Sequence, residues 1–202
     1  HEGQQRDHNS ELVELSGALK VYAVSLNKIA NDLALMGSGP RTGLAELHLP
    51  ELQKGSSIMP GKVNPVIPEV VIQVAAQVVG NDMAITMAGS QGQFELNVRV
   101  PLIARNLLGS IRILASATRL LDEKCVTGIE ANHPQHEKHA EATLATATAL
   151  NPYIGYDKAS EIVKEAAASG RPLREVAIEK GVEEKVLDEA LDHHKMANPH
   201  SA

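Results

Sequence analysis

The stretch from Ser10 to Met36, SELVELSGALKVYAVSLNKIANDLALM, decides the fold. Leu12, Leu15, Leu19, Tyr22, Leu26, Ile29, Leu33 and Met36 follow alternating steps of three and four, the heptad seam of a long helix. Gly37 ends it, and at about 1.5 Å per residue it is about 40 Å long. Such a helix needs partners along its whole seam, and this chain must supply them or borrow them.

Outward from it, periodicity vanishes between Gly37 and Asn64, where glycines 37, 39, 43, 55 and 61 alternate with prolines 40, 50 and 60. Structureless loops longer than about 12–15 residues are uncommon unless they are functional or disordered. The apolar anchors Leu44, Leu47, Leu49, Leu52, Ile58 and Met59 favour an ordered functional loop. Pro65 opens a second long helix, proline being favoured at the first helical position. From Val66 to Phe94 only Glu69 and Asp82 carry charge, so this helix is expected to be buried nearly all round. Gln73, Gln77, Asn81 and Gln91 are too frequent for a membrane span. A chain this short hardly wraps such a helix alone, which predicts a bundle completed by other subunits. A third helix runs from Pro101 to about Glu123, with Ile103, Leu107, Leu114 and Leu121 along one stripe.

Composition agrees with an all-α long-helix bundle. Aromatic residues are 2% of the 202, with no Trp, whereas strands favour aromatics. Residues 133–202 hold 8 basic and 12 acidic side chains, and the predicted helices shorten to 134–150, 157–169, 172–180 and 183–193. Gly170 and Gly181 stand where C-terminal caps belong. The expected organisation is 1–132 as part of a central helical bundle and 133–202 as a small helical C-terminal domain.

The formal net charge of −6 argues against a nucleic-acid partner. The single cysteine, Cys125, excludes an internal disulfide or a multi-thiolate metal site, and reads as a packing residue in a reducing compartment. No signal-length apolar run opens the chain, and no membrane association is expected, so a cytoplasmic location follows. His133, His136 and His139 fall three apart in a strongly polar segment that reads as solvated surface, with no metal site expected.

The chemistry concentrates in Gly55-Ser56-Ser57-Ile58-Met59-Pro60-Gly61-Lys62-Val63-Asn64-Pro65. Two hydroxyls on a glycine hinge, a lysine and an amide precede a helix N-terminus, whose free N–H groups carry about half a positive charge. Together they can bind a small anion, although Gly/Ser/Pro loops with one lysine are also common connectors. A phosphate loop is excluded: five residues rather than four separate the glycines, Val63 replaces the hydroxyl, and no strand precedes. Glu69, one turn into the charge-poor helix, is either a structural acid or the partner that orients an acid–base group from elsewhere. Asp82 reads as structural.

The loop resembles the Gly-Ser-Ser-x-Met-Pro-x-Lys-x-Asn-Pro signature of the fumarase/aspartase superfamily, and the match is complete. It extends to Gly37-Ser-Gly-Pro-Arg-Thr-Gly43, Gly80-Asn-Asp82, Phe94-Glu-Leu-Asn-Val98 and Leu150-Asn-Pro-Tyr-Ile-Gly-Tyr-Asp-Lys-Ala159. Gly61, Phe94-Glu95 and Gly155-Tyr156-Asp157-Lys158 are the class II fumarase form, with aspartase as the alternative. The resemblance implies reversible hydration of fumarate to (S)-malate, a tricarboxylic acid cycle reaction, without metal or organic cofactor. It implies Ser56 as the base and Ser57, Lys62, Val63 and Asn64 as substrate-binding residues. Glu69 matches the acid that pairs with the family's catalytic histidine.

The resemblance further implies a homotetramer whose active sites each draw on three subunits, and a chain corresponding to the family's C-terminal half. The family's Thr-His pair and Ser-Ser-Asn segment have no counterpart here. This chain is then one wall of the site and is expected to bind dicarboxylates weakly without turning them over. The alternative is a naturally short, inactive relative that serves as a binding or assembly module.

Overall fold

In the computed structural model, residues 9–52, 59, 63–94 and 96–198 are described. Their contacts divide the chain into two compact units, one up to Asn132 and one from His133. Both are helical, and the protein is all-α apart from one pair of two-residue strands.

The first unit is built on three long helices, α1 (Ser10–Met36), α2 (Val66–Gly89) and α3 (Val100–Lys124). They run antiparallel in succession. At one end Ala23, Leu26 and Ala30 of α1 pack with Val71, Ala75 and Val78 of α2 and with Leu114, Ala117 and Leu121 of α3. Nearer the other end, Ile85 and Ala88 of α2 pack with Ile103 and Leu107 of α3, against Leu12, Val13 and Leu19 of α1. Each fully buried Ile, Leu or Val contributes about 1.5–3 kcal/mol.

Between the two apolar clusters lies a polar layer. Ser16 Oγ donates to Asp82 Oδ1 (2.7 Å), Lys20 Nζ to Asp82 Oδ2 (2.6 Å), and Asn81 Nδ2 to Ser110 Oγ (2.9 Å). Asp82 is therefore a structural acid joining α1 to α2.

The heptad reading places α1 correctly but assigns its burial too widely. The inward line is Leu12, Ser16, Leu19, Ala23, Leu26, Ala30 and Leu33, in which the small residues let α2 approach closely. Leu15 (44%), Tyr22 (43%) and Ile29 (47%) remain exposed. Likewise α2, expected to be buried nearly all round, leaves Val79, Met83 and Met87 in solvent. Two neighbours cover only about half the perimeter of a helix, and among the described residues of this unit α2 packs against two helices, α1 and α3. By length and hydropathy α2 and Val100–Gly128 could each cross a membrane. Within this unit Asp82 of α2 instead pairs sideways with α1, and Asn81 with α3.

A strap, residues 37–52, leaves α1 and carries β1 (Leu47–His48), which pairs antiparallel with β2 (Glu130–Ala131). Its turn closes on Ser38, whose carbonyl accepts from Ala45 N (2.7 Å) and whose Oγ accepts from Leu44 N (3.1 Å). Gly43 lies against the Ser38 carbonyl, where a Cβ has no room.

In the second unit, α4 (His133–Ala142) is followed by a 3-10 turn (Ala145–Leu150), α5 (Asn151–Ile154), α6 (Tyr156–Ser169), α7 (Leu173–Glu179), α8 (Glu184–Ala190) and α9 (His193–Ala197). The helix predicted over 134–150 breaks after Ala142. There Thr143 competes with the helix, its Oγ accepting from Ala145 N and its carbonyl from Thr146 Oγ. Gly170 (φ 68°) and Gly181 (φ 75°) take the left-handed conformation expected of caps. Leu150, Ile162, Val176 and Leu187 form the centre of this unit's core.

Above that core, charges tie α6 to α7. Arg171 reaches Glu165 (3.1 Å) and Glu179 (2.6 Å), and Lys180 reaches Glu161 (2.7 Å) and Glu165 (2.8 Å). The hydrogen bond from Lys180, helped by the charges of Lys180 and Arg171, holds the Glu165 carboxyl below its ordinary range. Hydrogen bonds to Glu161 and Glu165 hold the Lys180 ammonium above its own.

A carboxyl with a depressed folded value stabilises above its ordinary value of 4.5, and this is lost as pH falls through the folded value. An ammonium with a raised value stabilises fully below 10.5, and this is lost as pH rises through the folded value. The melting temperature of this unit is expected to be flat between those limits and to fall on both sides, as calorimetry against pH would show. Glu165→Gln should flatten the acid limb, and added salt should shrink both limbs because the pairs are part-exposed.

Candidate active site

Of the predicted site residues, Ser56, Ser57 and Lys62 lie outside the described residues. Val63, Asn64 and Glu69 are described, at the start of α2. Pro65 is the N-cap rather than the first helical residue, its carbonyl accepting from Glu69 N (3.0 Å). Asn64 is half-buried, and its carbonyl accepts from Val66 N (2.9 Å). Val63 is 43% exposed.

Glu69, anticipated as a lone buried carboxylate, is exposed. The inward positions of this turn are Ile67, Pro68 and Val71, which places Glu69 on the outer face. There its charge is favourable beside the positive helix end.

The strap and α2 converge on the end of α3. Leu49, Pro50 and Leu52 from the strap and Asn64 from the α2 root line a cleft closed by Lys124 and Cys125. At about 10 Å³ it holds no more than about one water. Lys124, which sequence reading passed over as a helix-end lysine, adds a cation to this rim. Cys125 is buried in the core, and burial pushes its thiol up, so it packs as anticipated and is not an activated nucleophile.

The remaining motif segments are also built structures. Asn97, 4% exposed, donates its Nδ2 to Ala88 O (2.9 Å) and accepts from Arg99 N, fixing the turn between α2 and α3. Phe94, in that turn, is 97% exposed. His133 and His136 lie at the start of α4 with their rings edge to face at 6.1 Å, and His139 is hydrogen-bonded with Gln135.

Of the loop roots, Asn64 and Pro65 line that narrow cleft and Val63 is exposed. A dicarboxylate needs walls that the described residues of this unit do not supply. Between α2 and α3 a separate, open groove of about 500 Å³ is lined by Gln77, Asn81, Leu102, Arg105, Asn106 and Gly109.

Residues 3–80 match a family model described as lyase, and residues 147–198 match one described as fumarase C C-terminus. The chain is 52% identical over 193 residues to the class II fumarate hydratase of Corynebacterium efficiens, covering 93% of this chain and 41% of that protein. It is 49% identical over 187 residues to an aspartate ammonia-lyase of a Bacillus species, covering 92% of this chain and 40% of the relative. The crystal structure of the class II fumarase of Schistosoma mansoni superposes with a TM-score of 0.90 at 41% identity, over 97% of this chain and 41% of that one. The chain thus spans about two-fifths of the length of the curated relatives it matches. With its signature loop, its helices and both ends of its sequence in agreement, the chain belongs to the fumarase/aspartase superfamily of lyases.

Proposed function

We propose that this chain is one wall of a fumarate hydratase active site, completed by further segments and subunits of a homotetramer. The observation that carries the reading is the complete Gly55–Pro65 signature, in a chain 52% identical to a class II fumarate hydratase. Ser56 is the base. It takes the proton from the carbon next to one carboxylate of (S)-malate, and the electron pair moves into that carboxylate to give a dianionic aci-carboxylate. Hydroxide then leaves the neighbouring carbon, protonated by a general acid from outside this chain, and fumarate and water result. Hydration is the reverse.

Ser57, Lys62, Val63 and Asn64 hold the carboxylates. Lys62 and Asn64 gain most where charge is greatest, at the dianion, which is the condition for accelerating the step. Glu69 pairs with a histidine brought by the rest of the assembly, a role that its exposure on the first turn of α2 supports. No metal or organic cofactor enters this scheme. The exposed apolar line of Leu15, Tyr22 and Ile29 on α1 and of Val79, Met83 and Met87 on α2 supports subunit packing in a cytoplasmic enzyme.

The 49% identity to an aspartate ammonia-lyase supports a second reading, with ammonia in place of water. One experiment separates the two. The assembled protein containing this chain is given fumarate in D₂O, and separately aspartate. The expected result is malate carrying one deuterium as a single diastereomer, and no ammonia from aspartate. Ammonia release without hydration would establish the second reading, and hydration by the 202-residue chain alone would overturn the one-wall assignment.

A further inference from the structure

None of residues 37–52 is fully buried, and only at Leu49 does the strap pack against the apolar cluster of the bundle. At its centre it is held by hydrogen bonds, and these come from one residue far along the chain. Asn132 donates its backbone N–H to Glu46 O (2.9 Å) and its side-chain Nδ2 to Ala45 O (2.7 Å). Ala45 is a non-glycine residue at φ 51°, a conformation that an L side chain adopts at a cost. The Asn132 amide holds the carbonyl of the residue whose backbone is least willing to stay in place. The β1–β2 pairing of Leu47 with Ala131 and His48 with Glu130 continues the attachment. Gly128 then closes on Pro50, where a Cβ would come within 2.7 Å of the ring. A few residues later the same strap becomes the signature loop.

We infer that Asn132 is a positioning residue for catalysis, clamping the strap 45–52 so that the signature loop leaves it in a fixed place and direction. The inference rests on the fumarate hydratase reading above. Asn132 touches no reacting atom; it acts through Ala45 and Glu46. It is not part of the apolar clusters that hold the three long helices, so its loss should leave the bundle standing. The other root of the loop, at Asn64 and Pro65, is held separately by α2, so the loss should fall on kcat more than on KM.

The test uses the assembled protein, with fumarate hydration kinetics and amide hydrogen exchange measured together on Asn132→Ala and Asn132→Asp. The second variant keeps the shape but turns an acceptor toward Ala45 O. Both are expected to lower kcat by about ten- to a hundredfold, the range a displaced reacting group costs, with KM within about twofold. Exchange should quicken in the strap while α1, α2 and α3 keep wild-type protection. Unchanged kcat overturns the proposal, whatever the exchange shows.

Gly128→Ala, which pushes on Pro50, guards against a fold defect. If Asn132→Ala loses the assembly, Gly128→Ala must lower kcat in an intact assembly, or the proposal falls. A wild-type protein active on neither fumarate nor aspartate would instead overturn the functional reading. An active wild type with fully active variants overturns the clamp alone.

Discussion

Replacing Ser56 by alanine in the assembled protein is expected to lower fumarate hydration by about 10²–10⁴-fold, the range that a positioned proton-transfer group supplies. A serine hydroxyl is a poor base, and the role is tenable only where the alkoxide is stabilised by backbone N–H groups and nearby positive charge. The signature supplies both kinds of group at once, in Lys62 and the loop that ends on the α2 N-terminus. Lys62→Ala should therefore lower kcat and raise KM together, since the ammonium holds the ground-state carboxylate as well as the dianion. Ser56→Ala should leave KM nearly unchanged. Sedimentation and circular dichroism of both variants should match wild type. Loss of assembly in Ser56→Ala with little change per assembled site would mean that the loop is a connector and that the base lies elsewhere.

Why the long helices were legible while the strap was not follows from the range of the forces involved. The limits of α1 follow from periodicity and a terminal glycine, and the start of α2 from a proline before a charge-poor run. All of these are local signals, and α1 and the start of α2 fall within a residue or two of expectation. Which side of α1 is covered is not local. Leu15 and Leu19 look alike in sequence, and only the arrival of α2 at Ser16, Ala23 and Ala30 decides that one goes inward and the other stays out. The expected burial of Glu69 failed for the same reason: a charge-poor helix reads as buried, but the described residues of this unit cover only part of its perimeter.

The strap depends on contacts still more remote. Asn132 meets Ala45 across 87 residues, from a polar segment with no periodic signal, and no local rule marks it. The signature loop was legible for a different reason. Its hydroxyls, lysine and amide alone suit a connector as well as an anion site, and it was the resemblance of the whole Gly55–Pro65 pattern that marked it as the candidate site, while the walls that complete it could not be read.

The polar layer of the bundle yields the largest expected effect on stability. Asp82 is 4% exposed and holds both Ser16 and Lys20, whose side chain is 42% exposed. Lys20→Met strips the counter-charge from a carboxylate that water scarcely reaches. Breaking a buried pair from one side costs about 3–5 kcal/mol, and the partial exposure of Lys20 places this case at about 3 kcal/mol. Asp82→Leu should cost less, about 1–3 kcal/mol, because its main penalty is the Ser16 hydroxyl left without an acceptor. The double variant Lys20→Met/Asp82→Leu should be more stable than Lys20→Met alone, since no charge is then stranded.

That order, read from urea midpoints at constant m, separates a charge that is merely tolerated from one that contributes. Additive losses would mean that Lys20 and Asp82 act independently and that their 2.6 Å contact carries no coupling. A double variant that regains stability but no longer assembles would assign the layer a different role. It would then select one register of α1 against α2, since apolar clusters on either side could otherwise slide by a turn and still bury similar surface. Ser16, Lys20 and Asp82 meet in a single register, and the loop roots at the α2 N-terminus are correctly placed only in that one.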